Sequence, residues 1–136
     1  MTQPRAGVAL TVAALLFVLV AAQSAIKPFL SGPDVGFMLL GVRTDGLVEA
    51  IAARVHAAVM LLLAYGVWRL RRYALWFLYF YTPYVLLNLV LFISRYELHP
   101  PAGVFAPLFA AIYSLIALGV PGGTAYLLAR RRQELS

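Results

Sequence analysis

The chain has 136 residues, of which 63% are hydrophobic and 12% are charged, and its formal net charge at pH 7 is +6. A typical soluble domain has about 25% charged residues, so this composition excludes an ordinary soluble domain, a disordered chain and the usual kind of nucleic-acid-binding protein. The absence of cysteine excludes disulfides, zinc–thiolate sites and thiol redox chemistry. The composition therefore predicts a small integral membrane protein.

Four long stretches of the chain have few or no charged residues, and a membrane-spanning helix needs about 20 apolar residues. The stretches are continuous and rich in Ala and Leu rather than alternating, which favours helices over a transmembrane β-barrel. The predicted fold is an all-α, polytopic membrane protein, a single-domain antiparallel bundle of four transmembrane helices. The predicted spans are about 7–26, 46–70, 73–94 and 103–129, with a long loop over 27–45.

The first span allows a second interpretation. Arg5, the apolar run that follows it, and the small residues Ala22 and Ser24 together resemble a secretory signal peptide. The run is also long enough to cross a bilayer. We expect an uncleaved first helix.

Arginines are concentrated on the side of the predicted bundle that carries both termini. The positive-inside rule places that side in the cytoplasm, so we expect a protein of the bacterial inner (plasma) membrane with both termini cytoplasmic. These arginines are interpreted as determinants of topology that also attract anionic lipid headgroups. They are Arg69, Arg71, Arg72, Arg130, Arg131 and Arg132.

The loop over 27–45 contains several glycines and prolines, which interrupt helices. Between them lies the apolar segment 37–40, which is too short to span a membrane. We expect this segment to lie in the outer interface or to cap the bundle.

Polar and ionisable residues at membrane depth are costly, and they are therefore candidate functional residues. On the second span Glu49 and His56 share one face, and Tyr84 and Asn88 share one face of the third. At 1.5 Å per residue, His56 and Asn88 lie at about the same depth in the outer half of the bilayer. These residues predict a small polar pocket, although hydrogen bonds between helices would explain the same pattern. The candidate ligand-binding residues are Glu49, His56, Tyr84, Asn88 and Tyr113.

His56 also allows a haem or chlorin site. Ala52 precedes it by four residues, and this spacing resembles that of light-harvesting polypeptides, in which the small residue makes room for the macrocycle. Otherwise we expect no cofactor and no metal site. The chain has no catalytic cysteine, no His-Glu-x-x-His and no Gly-x-Ser-x-Gly, so we do not expect an enzyme.

Residues 65–76 read YGVWRLRRYALW. Together with the longer loop after the first span and Asn88 in the third, they resemble small four-span bacterial membrane proteins with an Arg-rich turn between spans two and three. The resemblance implies the same topology. It implies no activity.

The expected function is that of a non-catalytic accessory or assembly subunit of a membrane complex, because the predicted surface is apolar and deep charges are scarce. Its expected partners are the bilayer and other membrane proteins or further copies of the chain, without nucleic acid. A small-molecule or ion carrier that uses the polar pocket is the first alternative. A haem- or pigment-binding subunit that uses His56 is the second.

Overall fold

The computed structural model describes residues 7–29, 37–95 and 106–136. This part of the chain is dominated by helices, which confirms the predicted helical class. The long helices are α1 (Val8–Ile26), α2 (Gly46–Trp68), α3 (Arg72–Arg95) and α4 (Ala106–Arg130). Short 3-10 turns follow α1 at Lys27–Phe29 and α4 at Arg132–Glu134.

The loop between α1 and α2 contains a short antiparallel hairpin that the sequence did not predict. Its strands are β1 (Phe37–Leu39) and β2 (Val42–Thr44), and Phe37 pairs with Thr44. The Thr44 hydroxyl donates a hydrogen bond of 2.8 Å to the Phe37 carbonyl. Strands of three residues are too short for a recognisable alternation of polar and apolar side chains, so the sequence pattern does not reveal them.

Three helices in the described residues are long and apolar enough to cross a membrane. They are α1 with the turn that follows it, α2 and α3, with mean hydropathies of 2.3, 1.9 and 1.7. Helix α4 has 25 residues but is not among these three. The side chains of its first turns, 106–110, lie outside the described part of the chain.

Small residues line the contact between α1 and α2, which pack together more extensively than any other pair of helices. Alanine side chains let two helix backbones approach closely, and the resulting van der Waals packing drives helix association in lipid. The buried alanines are Ala13, Ala14 and Ala21 on α1 and Ala53, Ala57 and Ala64 on α2. Many larger apolar side chains on α1 and α3 remain exposed, as suits helices that face lipid tails.

The turn between α2 and α3 is closed by two backbone hydrogen bonds. The Arg71 amide donates to the Gly66 carbonyl at 2.8 Å, and the Leu70 amide donates to the Val67 carbonyl at 3.3 Å. This is a Schellman motif, in which the residue with positive φ is usually glycine. Here it is Leu70, with φ of 53°, and the burial of its side chain in the core offsets the backbone strain.

The segment after α4 packs on this turn. The Ser136 amide donates to the Leu70 carbonyl at 3.0 Å, and the Arg72 amide donates to the Ser136 carbonyl at 3.0 Å. Leu135 is buried in the core. The start of α1 reaches the same place, because Gly7 lies against the guanidinium of Arg131. We call this the turn end of the molecule, and the opposite end, which carries β1 and β2, the hairpin end.

Leu135→Ala should lower the free energy of unfolding by about 2 kcal/mol or more, because it empties a core position. Leu115→Ala is the matched control, since Leu115 on α4 is 75% exposed whereas Leu135 is 4% exposed. Denaturation of the purified protein in mild detergent, followed by circular dichroism, measures both changes. Equal losses for the two variants would contradict the packing of this segment on the turn.

Candidate ligand-binding cavity

A cavity of about 440 Å³ lies between the four long helices and β1, in the half of the molecule nearer the hairpin end. This volume is within the range of about 300–1,000 Å³ that is typical of small-molecule pockets. Its deeper wall is apolar and includes Phe17, Met60, Val120 and Pro121. Its wall toward the hairpin end carries the polar side chains of Gln23, Ser24, Lys27, His56, Tyr81, Tyr84 and Asn88.

His56 links three helices through hydrogen bonds at both ring nitrogens. Its Nδ1 lies 2.9 Å from the Ser24 hydroxyl on α1, and its Nε2 lies 3.0 Å from the Tyr81 hydroxyl on α3. A neutral imidazole has one donor and one acceptor nitrogen, and a hydroxyl can act in either role, so both contacts can be satisfied together. The Phe37 ring of β1 packs on the imidazole with 5.2 Å between ring centroids.

Lys27 brings a positive charge to the cavity. It follows the last residue of α1, and its backbone amide donates to the Gln23 carbonyl. Pro28 comes next and prevents the α-helix from continuing, which leaves the Lys27 side chain at the cavity wall. The ammonium is close enough to act electrostatically on His56. Among the described residues no carboxylate lines the cavity, so its polar wall is electropositive.

The tip of the β1–β2 hairpin rests on α3 beside the cavity. The Gly41 amide donates a hydrogen bond of 2.7 Å to Asn88 Oδ1, and the backbone amide of Leu40 donates a hydrogen bond to the Tyr84 hydroxyl. Gly41 has a φ of 72°, and a Cβ there would lie 2.8 Å from the carbonyl carbon of Leu91. Only glycine therefore allows this close approach. The segment expected to lie in the outer interface or to cap the bundle therefore contacts α2 and α3.

The structure brings three of the predicted ligand-binding residues together, because His56, Tyr84 and Asn88 all line the cavity. It does not bring Glu49 there. Glu49 shares a face of α2 with His56, but it lies two turns, or about 10 Å, nearer the hairpin end and is not part of the lining. The side chain of Tyr113 lies outside the described part of the chain.

Four polar residues of the lining were not among the predicted candidates. For Tyr81 the sequence did contain a signal, since it shares the helical face of Tyr84 and Asn88. Gln23, Ser24 and Lys27 lie at the end of α1, where polar residues ordinarily mark the membrane boundary. Gln23 and Ser24 do lie in the outer half, to which every predicted span contributes polar groups, whereas no sequence pattern indicated a cavity position for Lys27.

The predicted topology arginines lie at the turn end, away from the cavity. Arg130 lies over the Tyr126 ring at 5.9 Å, and Arg131 pairs with Glu134 at 3.7 Å. Trp68 and Trp76 are exposed beside them. Aromatic and basic side chains in one band are typical of a membrane–water interface. The same band includes Arg69, Arg71, Arg72 and Arg132.

Ligation of a haem or a metal ion by His56 would require a change in the hydrogen bonds of the imidazole ring. Both ring nitrogens already have hydrogen-bond partners, so ligation would break the contact with Ser24 or with Tyr81. Within the residues that the structure describes, no group of three or more His, Asp or Glu side chains could hold a metal ion. The geometry favours hydrogen bonding over ligation.

Comparisons of the chain with protein-family models, with curated proteins and with solved structures found no match.

Gly41→Ala should release the hairpin tip from α3, because the new Cβ meets helix backbone. Gly46→Ala is the matched control: Gly46 also has a positive φ, of 56°, but a Cβ there meets nothing within 4 Å. Hydrogen exchange of the amides of 37–44, read by mass spectrometry, should rise about tenfold in Gly41→Ala, which corresponds to about 1.4 kcal/mol of opening free energy. The same rise in Gly46→Ala would show that the contact with α3 does not hold the hairpin.

Proposed function

We propose that this protein is a four-span membrane protein that binds a small amphipathic molecule in the cavity beside His56. The observation that carries the proposal is the convergence of seven polar side chains on one cavity whose other described lining residues are apolar. Polar groups among membrane helices are costly, and the side chains of Gln23 and Lys27, for which the structure gives no partner within the described residues, would gain from a bound polar head. A ligand with a polar head and an apolar body matches both walls.

An opening between α1 and α4 supports entry from the bilayer. Leu19 on α1 is 63% exposed and Ile116 on α4 is 57% exposed, yet both line the cavity. These two helices make few contacts with each other. In a membrane the gap between them faces lipid, which favours a ligand that dissolves in the bilayer.

The chemistry of the site favours binding over catalysis. A Ser–His pair can activate a nucleophile, but the imidazolium that forms needs a group to orient and stabilise it. The second nitrogen of His56 meets the neutral Tyr81 hydroxyl, and no carboxylate lines the cavity among the described residues. Other polar groups of the lining, such as the Gln23 amide, the Lys27 ammonium and the Asn88 amide nitrogen, are well suited to hold a polar head by hydrogen bonds.

For the topology we propose an antiparallel bundle of four spans in the bacterial inner membrane, with both termini in the cytoplasm. Helix α4 has 25 residues, more than the roughly 20 that a span requires. Six arginines lie at the turn end, and the positive-inside rule favours the cytoplasm for that end. The cavity then lies in the outer half of the bilayer.

The accessory-subunit role, the association with other membrane proteins or further copies, and the haem role stay predictions. Exposed apolar side chains such as Phe80 on α3 suit lipid tails as well as a protein partner. They therefore do not favour a partner over lipid. The polar cavity is a more specific observation than the exposed apolar surface, and the proposed function is therefore based on the cavity.

Ala117→Phe should abolish binding, because Ala117 lines the cavity and a phenyl group there would occupy the ligand's volume. Ala58→Phe adds the same group on an exposed face of α2 and is the control. Native mass spectrometry after incubation with myristate, tetradecanol and tetradecylamine should find one bound amphiphile per wild-type chain and per Ala58→Phe chain. If no probe binds to the wild-type protein, or if Ala117→Phe binds as well, the proposed function is wrong.

The topology has its own test, which the absence of cysteine makes simple. Single cysteines replace the exposed residues Asp45, Arg69 and Gln133. A membrane-impermeant maleimide added to intact spheroplasts should label only Asp45→Cys, and all three variants should react after permeabilisation. Labelling of Gln133→Cys from outside would reverse the proposed orientation.

A further inference from the structure

We propose that the ligand of this cavity is a single-chain lipid with an anionic head, such as a fatty acid, whose carboxylate pairs with Lys27. This inference rests on the proposed function and deepens it by naming the class of ligand. It is carried by the charge and the placement of the polar groups along the cavity wall.

Lys27 is the charged residue among the described residues of the lining, and none of these carries a carboxylate to compensate its charge. It is half-buried, and in the described part of the chain it has neither a hydrogen bond nor an ion pair from its ammonium group. A cation that is partly removed from water gains most from an anion that supplies charge and hydrogen-bond acceptors together. A carboxylate does both, whereas an amine head would be repelled.

The neighbouring groups can complete the coordination of such a head. Gln23 lies one helical turn before Lys27 on α1, and its side-chain amide has two N–H donors. Asn88 uses its Oδ1 to accept the hydrogen bond from Gly41, which leaves its amide nitrogen as a donor. Donors and one cation therefore border the same part of the cavity, while the carboxylate of Glu49 lies outside it.

The apolar wall of the cavity provides the surface on which the acyl chain of the ligand packs. It continues from the polar wall toward the middle of the helices along Phe17, Val20 and Met60, and it ends at Pro121. A cavity of about 440 Å³ is in the lower half of the range for small-molecule sites, which favours one acyl chain over two. The opening between α1 and α4 lets a chain enter sideways from the bilayer.

The test compares three head groups on the same chain length: myristate, tetradecanol and tetradecylamine. The 136-residue protein is placed in phosphatidylcholine nanodiscs at mildly alkaline pH, at which the carboxylic acid of myristate is ionised. Equilibrium binding of each radiolabelled probe is corrected for its partition into empty nanodiscs. Wild-type protein should bind myristate about tenfold more tightly than tetradecanol, as expected for one charge-assisted contact.

Lys27→Gln should remove this preference, and Lys27→Arg should keep it. Arg54→Gln is the matched control, because Arg54 is an exposed cation on α2 outside the cavity lining. Each variant is first checked for a native far-ultraviolet spectrum and a single species in detergent. The comparison of head groups on the wild-type protein needs no variant, so the proposal stays testable if Lys27→Gln does not fold.

The outcomes separate the two proposals. Tight binding of tetradecanol or tetradecylamine, equal to that of myristate, would overturn the anionic ligand and leave the proposed function standing. Loss of myristate binding in Arg54→Gln as large as in Lys27→Gln would assign the effect to general surface charge and also overturn the inference. No saturable binding of any probe would overturn the proposed function together with the inference.

Discussion

The arrangement of the helices around the cavity depends on the hydrogen bonds that the two ring nitrogens of His56 require. His56 lies among apolar helices, where an unpaired polar group costs more than it would in water. Ser24 and Tyr81 partner its two nitrogens, at 2.9 and 3.0 Å, and so fix α1, α2 and α3 at one relative depth. Hydrogen bonds between membrane helices are worth about 0.6 kcal/mol each on average, so these contacts determine how the helices align more than how strongly they associate.

The loop before α2 forms part of the cavity wall, which the four helices do not close by themselves. Phe37 packs on the His56 ring, and the tip of the hairpin is held by Asn88 through the Gly41 amide. The wall of the cavity at the hairpin end is therefore made partly of chain outside the spans. Because the hairpin has only three residues in each strand, its position depends on these contacts with α2 and α3 rather than on its own stability.

The two ends of the molecule differ in packing. At the turn end, Leu70 and Leu135 are buried, the backbone of Ser136 bridges Leu70 and Arg72, and the core is continuous. At the hairpin end, the described residues make polar contacts around a cavity, together with the packing of Phe37 on His56. Close packing at one end holds the helices together, so the other end can carry a cavity and polar groups. This division of the bundle is the physical basis of the proposed binding function.

The sequence by itself determined the helices, because uninterrupted apolar runs in lipid must satisfy their backbone hydrogen bonds internally. It also predicted that His56 and Asn88 lie at similar depth and Tyr84 somewhat deeper, because the rise and period of one helix fix the depth and face of each residue. Only the tertiary structure decided that Ser24 and Tyr81 meet His56, that Lys27 borders the cavity and that Glu49 does not. The reason is that the periodicity of a single helix does not encode which faces of neighbouring helices pack together, or where a loop between them comes to rest.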